Sequence, residues 1–285
     1  MEEIDMKSAS KLWLVALVLA LVAAACGGGT SGTTAAPAVD TTGAGAETTG
    51  AAVGELPDLG GQTVTVAVEN AYPPFNYIDQ DSGEAVGWDY DAVNEICSRI
   101  NCTPEYVEVA WDGMIIAVSE GQYDMAADGI TITEERREQV DFSQGYVRVE
   151  QKLLVRADED RFASIDEFEA GDFLIATQLG TTNFDTAVEA FGEDRVQGFE
   201  QFGFAVQAVL NGDADAVIID DTAGQGYIGE NADQLKLIDG SLSSDELGFI
   251  FPKGSELVTA FDAALDSMEE DGTLAQINNT WWPAS

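Results

Sequence analysis

The segment "DGITITEERREQVDF" (Asp128–Phe142) decides how the rest of the chain is read. Two arginines, Arg136 and Arg137, stand side by side in a chain with 12 Lys and Arg against 52 Asp and Glu. Thr133 is placed to cap a short helix, with Glu134 and Glu135 in its first turn, where the helix dipole favours carboxylates. A scarce cation at such a strand-to-helix corner is either one half of an anion grip or only a local partner for those glutamates. The surrounding sequence has to choose between the two.

Composition narrows the field. A formal charge of −40 with no histidine repels phosphate backbones, so no nucleic-acid partner is expected. The acidity reads as a solubilising surface suited to a salty medium. Residues 1–26 read as a signal peptide: "KLWLVALVLALVAAAC" has an apolar run, Leu12–Val22, too short to span a bilayer comfortably, followed by small residues up to Cys26. Glu2, Glu3 and Asp5 are out of place in a basic leader, and a start at Met6 gives the more regular "MKSASK". "VAAAC" before "GGG" resembles a bacterial lipobox, although Ala23 stands where leucine is usual. On that resemblance Cys26 carries lipid and holds the protein to a membrane; simple cleavage near an unmodified Cys26 is the alternative. Residues 27–56 hold almost nothing large and apolar and are expected to form a disordered tether.

Residues 57–285 suffice for one large domain or two lobes. Cys97 and Cys102 lie in "ICSRINC", and outside the cytoplasm such a pair usually oxidises. A bond between them would staple the end of a helix, near Asn101, to the next strand; a free buried pair is the alternative. With no histidine and no CxxC, no metal is expected, and no cofactor. "DQDSGE" places Gly83 one position too early for a calcium loop.

Strand and helix signals alternate, which predicts an α/β fold. "QTVTVAV" (Gln62–Val68) alternates as a strand, and "NYIDQDSGEAVGW" reads as two short strands about a Ser-Gly turn. Asp89–Ile100 sets Val93, Ile96 and Ile100 on one helical face, and "EYVEV" follows as a strand. Asp112 is expected to cap a helix Met114–Ser119, and Ser255 a helix Glu256–Met268 whose apolar stripe is Leu257, Phe261, Leu265 and Met268. "QKLLVR", "DFLIATQ", "ADAVIID", "LKLID" and "LGFIFPKG" read as strands; "GTTNFDTAVEAF" and "FGFAVQAVLNG" contain helices.

In this order, "AYPPFNY", "GWDYDAVNEI", "WDGMIIAVSEGQYDMAADGITITEERREQVDFS", "LGTTN" and "DADAVIIDD" resemble the family 3 extracellular solute-binding proteins, the amino-acid receptors of bacterial ABC importers. The resemblance covers residues 60–282. It implies the two-lobed periplasmic-binding-protein type II fold, with two crossing strands as hinge and the ligand in the cleft. The first lobe would be discontinuous, 57–150 and 246–285, with the second at 151–245. Crossings are expected near Val149–Lys152 and Asp245–Gly248.

The resemblance also answers the opening question. Arg136 falls where the family pairs an arginine with the ligand's α-carboxylate, and its planar fork suits two parallel hydrogen bonds that lysine cannot copy. Gly129, free of a side chain, and Thr131 would complete that grip, while Thr181 and Thr182 offer a helix amino end from the second lobe. Asp220 matches the amine-binding aspartate, with a helix-cap role as its alternative. Tyr72 and Trp111 match rings that enclose the ligand and exclude water; Phe75 is read as core. Arg137 is expected at the surface beside an acid. Glu69, together with Asp128, would make the far end of the cleft acidic and favour a polar or cationic side chain.

The leading expectation is therefore a non-catalytic, monomeric receptor, lipid-anchored outside the cell membrane, that closes on an amino acid and delivers it to an ABC permease. An enzyme on the same fold, resembling cyclohexadienyl dehydratase, is the second reading. A ligand-sensing domain is the third, less expected because no membrane span or signalling segment follows the fold before "WWPAS".

Overall fold

The computed structural model describes residues 55–282 other than Ala232. The leader, Cys26 and nearly all of the expected tether lie outside the described residues. No described helix is long and apolar enough to cross a membrane.

Strand β1 (Gln62–Val68) buries Val64, Val66 and Val68 completely. Next come β2 (Ala71–Tyr72), β3 (Asn76–Ile78) and β4 (Ala85–Val86), a small antiparallel sheet of its own. Helix α1 (Trp88–Ile100) buries Val93, Ile96 and Ile100, the face set by their three- and four-residue spacing. It stops at Asn101, which takes a left-handed φ of 55°. There Cys97 is disulfide-bonded to Cys102, the first residue of β5 (Cys102–Glu108).

Helix α2 (Met114–Ser119) is not capped by Asp112. Gly113 occupies the cap position in a left-handed turn, which leaves the aspartate one residue too early. After β6 (Met125–Ala126) comes α3 (Glu134–Gln139), where the Thr133 hydroxyl does accept the Arg136 N–H at 3.1 Å. β7 (Val140–Phe142) follows. β8 (Val147–Arg156) then carries the chain into a second sheet.

The second sheet alternates strands with helices: α4 (Ile165–Ala170), β9 (Ile175–Gln178), α5 (Thr182–Phe191), β10 (Val196–Phe199), α6 (Phe202–Asn211), β11 (Ala216–Asp220) and α7 (Asp221–Glu230). β12 (Leu235–Leu237) and β13 (Ser243–Leu247) both pair antiparallel with β8. Five buried residues in a row along β11 mark a strand covered on both faces. The chain then returns to the first sheet as β14 (Ile250–Pro252), a shorter strand than "LGFIFPKG" suggests. Helices α8 (Leu257–Asp271) and α9 (Thr273–Trp281) follow. Ser255 is not the cap residue of α8. Glu256 is, in helical conformation, and the Ser255 hydroxyl accepts the Leu257 N–H at 3.3 Å. The expected stripe of Leu257, Phe261, Leu265 and Met268 is buried.

The first sheet runs β5-β1-β6-β14-β7, the second β10-β9-β11-β8-β12 with β13 beside β8. β8 and β13 run antiparallel, Val149 opposite Asp245 and Val147 opposite Leu247. One leads out of the first lobe and the other leads back. Each lobe therefore has its own sheet and helices, and the two meet across a cleft. Tyr227 on α7 donates to the Ala71 carbonyl at 2.8 Å across it. Gly226 lies against the Pro73–Pro74 backbone so closely that a Cβ would stand 2.7 Å from the Pro73 carbonyl. Only glycine permits that approach.

Candidate functional site

In both lobes the site is built from chain that leaves strand ends. Glu69 follows β1, Asp128 and Gly129 follow β6, Gln178 ends β9 and Asp220 ends β11. Carboxyl ends of strands in open α/β sheets converge on a crevice because the connecting loops must turn there. Side chains of both lobes line the crevice here. All nine residues expected to meet a ligand line it: Glu69, Tyr72, Trp111, Gly129, Thr131, Arg136, Thr181, Thr182 and Asp220.

Arg136 is 9% exposed and projects from α3. Its Nη1 donates to the Thr131 carbonyl at 3.0 Å, and its guanidinium lies over the Trp111 ring, 5.3 Å from the centroid. Among the described residues no carboxylate comes within ion-pair distance of it. Burial accordingly lowers its pKa from the ordinary value. The local reading, a partner for Glu134 and Glu135, is thus not the one realised. Arg137 is exposed, as expected, but it stacks over the Phe142 ring at 5.5 Å instead of pairing with an acid.

Gly129 has φ +57°, and a Cβ there would lie 2.9 Å from Cε1 of Tyr72. The missing side chain therefore makes room for the Tyr72 ring. That ring stacks between Phe75 of its own lobe, centroids 5.5 Å apart, and Phe202 of the other, 5.1 Å apart. Stacked aromatic pairs of this kind contribute about 0.5–1.5 kcal/mol beyond area burial.

From the second lobe, Thr181 caps α5 by accepting the Phe184 N–H at 3.1 Å, which leaves the first amides of the helix for another acceptor. Thr182 Oγ1 meets Thr131 Oγ1 across the cleft at 3.2 Å and accepts from Gln151 Nε2 at 3.1 Å. Asp220 is 2% exposed. It occupies the cap position of α7 without a capping bond; its oxygens instead accept from Tyr72 Oη at 2.8 Å and Asn183 Nδ2 at 3.0 Å. Burial raises its pKa to about 6 against those two donors.

Glu69 is 5% exposed and accepts from Gln178 Nε2 at 2.9 Å, another polar bond across the cleft. Its backbone N–H donates to Asp128 Oδ1 at 3.1 Å. Burial raises both carboxyls above the ordinary range, and for Glu69 the charge of Asp128 adds to it.

Sequence reasoning missed Gln178, Asn183 and Phe202, which also line the cavity. Gln178 carried a usable signal, a polar residue closing a buried strand. Asn183 sat inside the quoted "LGTTN". Phe202 carried none, since an apolar residue opening a helix looks like core.

Two α/β lobes joined by paired crossing strands around a polar cavity define the periplasmic-binding-protein fold. The sequence model of the bacterial extracellular solute-binding proteins, family 3, matches residues 64–284, and the chain belongs to that family. A probable histidine-binding protein of Campylobacter jejuni is 30% identical over 74% of this chain and 82% of its own. Among solved structures, an ancestral arginine-binding protein bound to glutamine superposes with a TM-score of 0.72 at 31% identity, covering 78% of this chain and 98% of that one. An ancestral amino acid-binding protein, a precursor of cyclohexadienyl dehydratase, gives 0.71 at 32% identity over 77% and 95%.

Proposed function

We propose that this protein is a non-catalytic receptor that closes on a polar or cationic L-amino acid outside the cell membrane and hands it to an ABC importer. One observation carries the reading: a buried guanidinium without an ion pair, Arg136, and a buried carboxylate, Asp220, sit in one cavity on opposite lobes. An amino acid supplies the missing charge to each, carboxylate to Arg136 and ammonium to Asp220, and so adds a charged bridge to the hydrogen bonds that already join the lobes. Thr131, Thr181 and Thr182 surround the carboxylate, Tyr72 and Trp111 flank the aliphatic part, and Glu69 and Asp128 receive the side chain. A micromolar affinity requires only about −8 kcal/mol after ordering costs. Relatives whose names specify histidine and arginine support the same ligand class.

The lobes divide at about 150/151 and 245/246, so that β8 and β13 act as the hinge. Cys26 carries the lipid, residues 27–56 are the tether, and the closed, loaded form is what the permease recognises. The relative that preceded a dehydratase is itself named as an amino acid-binding protein, which favours capture over chemistry.

Calorimetry of the purified protein against single amino acids tests the reading. Arginine, ornithine or glutamine should bind more tightly than leucine or glutamate, because an aliphatic side chain leaves buried carboxylates unanswered and glutamate adds another. Tight leucine or glutamate binding would remove the side-chain assignment, and no amino-acid binding at all would remove the receptor. Intact-mass analysis of the membrane fraction decides the anchor; an unmodified Cys26 there excludes it.

A further inference from the structure

The cavity is unbalanced in charge. Three carboxylates, Glu69, Asp128 and Asp220, line it with a single guanidinium, Arg136. None of the three forms an ion pair with a Lys or Arg among the described residues. If Arg136 and Asp220 take the two backbone charges of an amino acid, as proposed above, Glu69 and Asp128 are left to whatever the side chain brings. The two residues are neighbours: the Glu69 backbone N–H donates to Asp128 Oδ1, and the charge of Asp128 acts on the Glu69 carboxyl.

The groups around them do not supply the missing cation. Gln178 donates one N–H to Glu69 Oε1 at 2.9 Å and bonds the Glu200 carbonyl at 2.9 Å; it orients Glu69 but is neutral. Asp89 on α1, buried and bonded to Asn76, is a further carboxyl beside Asp128, and burial favours its protonated, neutral form, so it brings no cation either. Asp220 lies at the end of β11, and the Tyr72 and Tyr227 hydroxyls are uncharged. Arg136, on α3, is directed to Thr131 and Trp111.

We propose that Glu69 is a proton-exchanging specificity group: it keeps a proton in the closed complex with a neutral side chain such as glutamine's and releases it to solvent when the side chain is cationic, as in arginine. The exchange leaves the buried charge of the two complexes equal. A protonated Glu69 gains an O–H that can donate to a carboxamide oxygen, while Oε1 stays held by Gln178. An ionised Glu69 offers instead the acceptor that a guanidinium requires. Burial and the neighbouring Asp128 already favour the protonated form when no cation is present.

The inference therefore rests on the receptor reading and extends it to two charge classes of ligand at one site. Raising the pH withdraws the proton that the glutamine complex needs and leaves the arginine complex unaffected. Selectivity for arginine should rise with pH, by up to about tenfold per unit where Glu69 is protonated in one complex and ionised in the other.

Calorimetry of the whole protein in phosphate and in Tris, whose heats of ionisation differ, counts the protons exchanged with each ligand. Glutamine should bind with up to about one proton more than arginine at neutral pH. The arginine-to-glutamine affinity ratio should rise severalfold from mildly acidic to mildly alkaline buffer. Both differences should vanish in Glu69→Gln. Equal proton counts in the wild type, a ratio that ignores pH, binding of only one of the two ligands, or a difference that survives Glu69→Gln each overturns the inference. Binding of neither overturns the receptor reading, and the inference with it.

Discussion

The Tyr72 hydroxyl donates to Asp220 Oδ2 at 2.8 Å, joining residues 148 positions apart and on opposite lobes. The bond can exist only while the lobes are together, and it engages the carboxylate assigned to the ligand's ammonium. Under the proposed assignment, closure and amine recognition share one side chain.

Tyr72→Phe keeps the ring stack with Phe75 and Phe202 but leaves Asp220 with Asn183 alone. A hydrogen bond to a charged group contributes about 1.5–3 kcal/mol, so affinity should fall by about tenfold or more. Small-angle scattering of the ligand-free variant should show a more open molecule. Unchanged affinity by calorimetry would mean that the bond does not contribute to closure.

Arg136→Lys retains the charge but loses the planar fork and the stack on Trp111. Affinity for any amino acid should drop by about 2–4 kcal/mol with little change in melting temperature. Arg137→Lys, on an exposed arginine outside the cavity, should be almost silent. Equal effects from the two substitutions would dissolve the carboxylate assignment.

Asp89 is fully buried at the start of α1, and burial raises its pKa to about 8 despite the Asn76 amide. The folded state then binds more protons than the unfolded state between the free value of 3.8 and about 8. Stability of the ligand-free protein should fall as pH rises through that window, by up to about 1.4 kcal/mol per pH unit from this group. Glu69, Asp128 and Asp220 act in the same direction. Urea midpoints at mildly acidic and mildly alkaline pH measure the slope, which should be shallower in Asp89→Asn. An unchanged slope would show that Asp89 does not titrate in the folded protein.

The Cys97–Cys102 bond closes a loop between residues five apart and ties the end of α1 to the start of β5. Replacing both by serine should cost about 2 kcal/mol of stability. Ligand affinity should not change, because Cys102 pairs with Gln62 at the far end of β1 from Glu69, about 20 Å away. Alkylation and intact-mass analysis of the wild type should find neither thiol free.

The sequence by itself determined those elements whose periodicity is regular, and the order in which they follow one another. Alternation in Gln62–Val68, the buried run Ala216–Asp220 and the spacing of Val93, Ile96 and Ile100 are local consequences of strand and helix periodicity, and each lies where its pattern places it. Thr133 was legible as a cap for the same reason, since a cap acts within three residues. Asp112 and Ser255 failed because a cap depends on the backbone angles of the residues beside it, which composition does not specify. Nine cavity residues could be named, but only through an ordered set of motifs, because Glu69, Arg136 and Asp220 are separated by dozens of positions. Tertiary structure alone decided that Tyr72 latches Asp220, that Gln178 holds Glu69, and that Arg136 rests on Trp111 with no ion pair. These are contacts between side chains brought together by two sheets and a hinge. Their strength comes from burial, which belongs to the folded arrangement and to no segment of the chain.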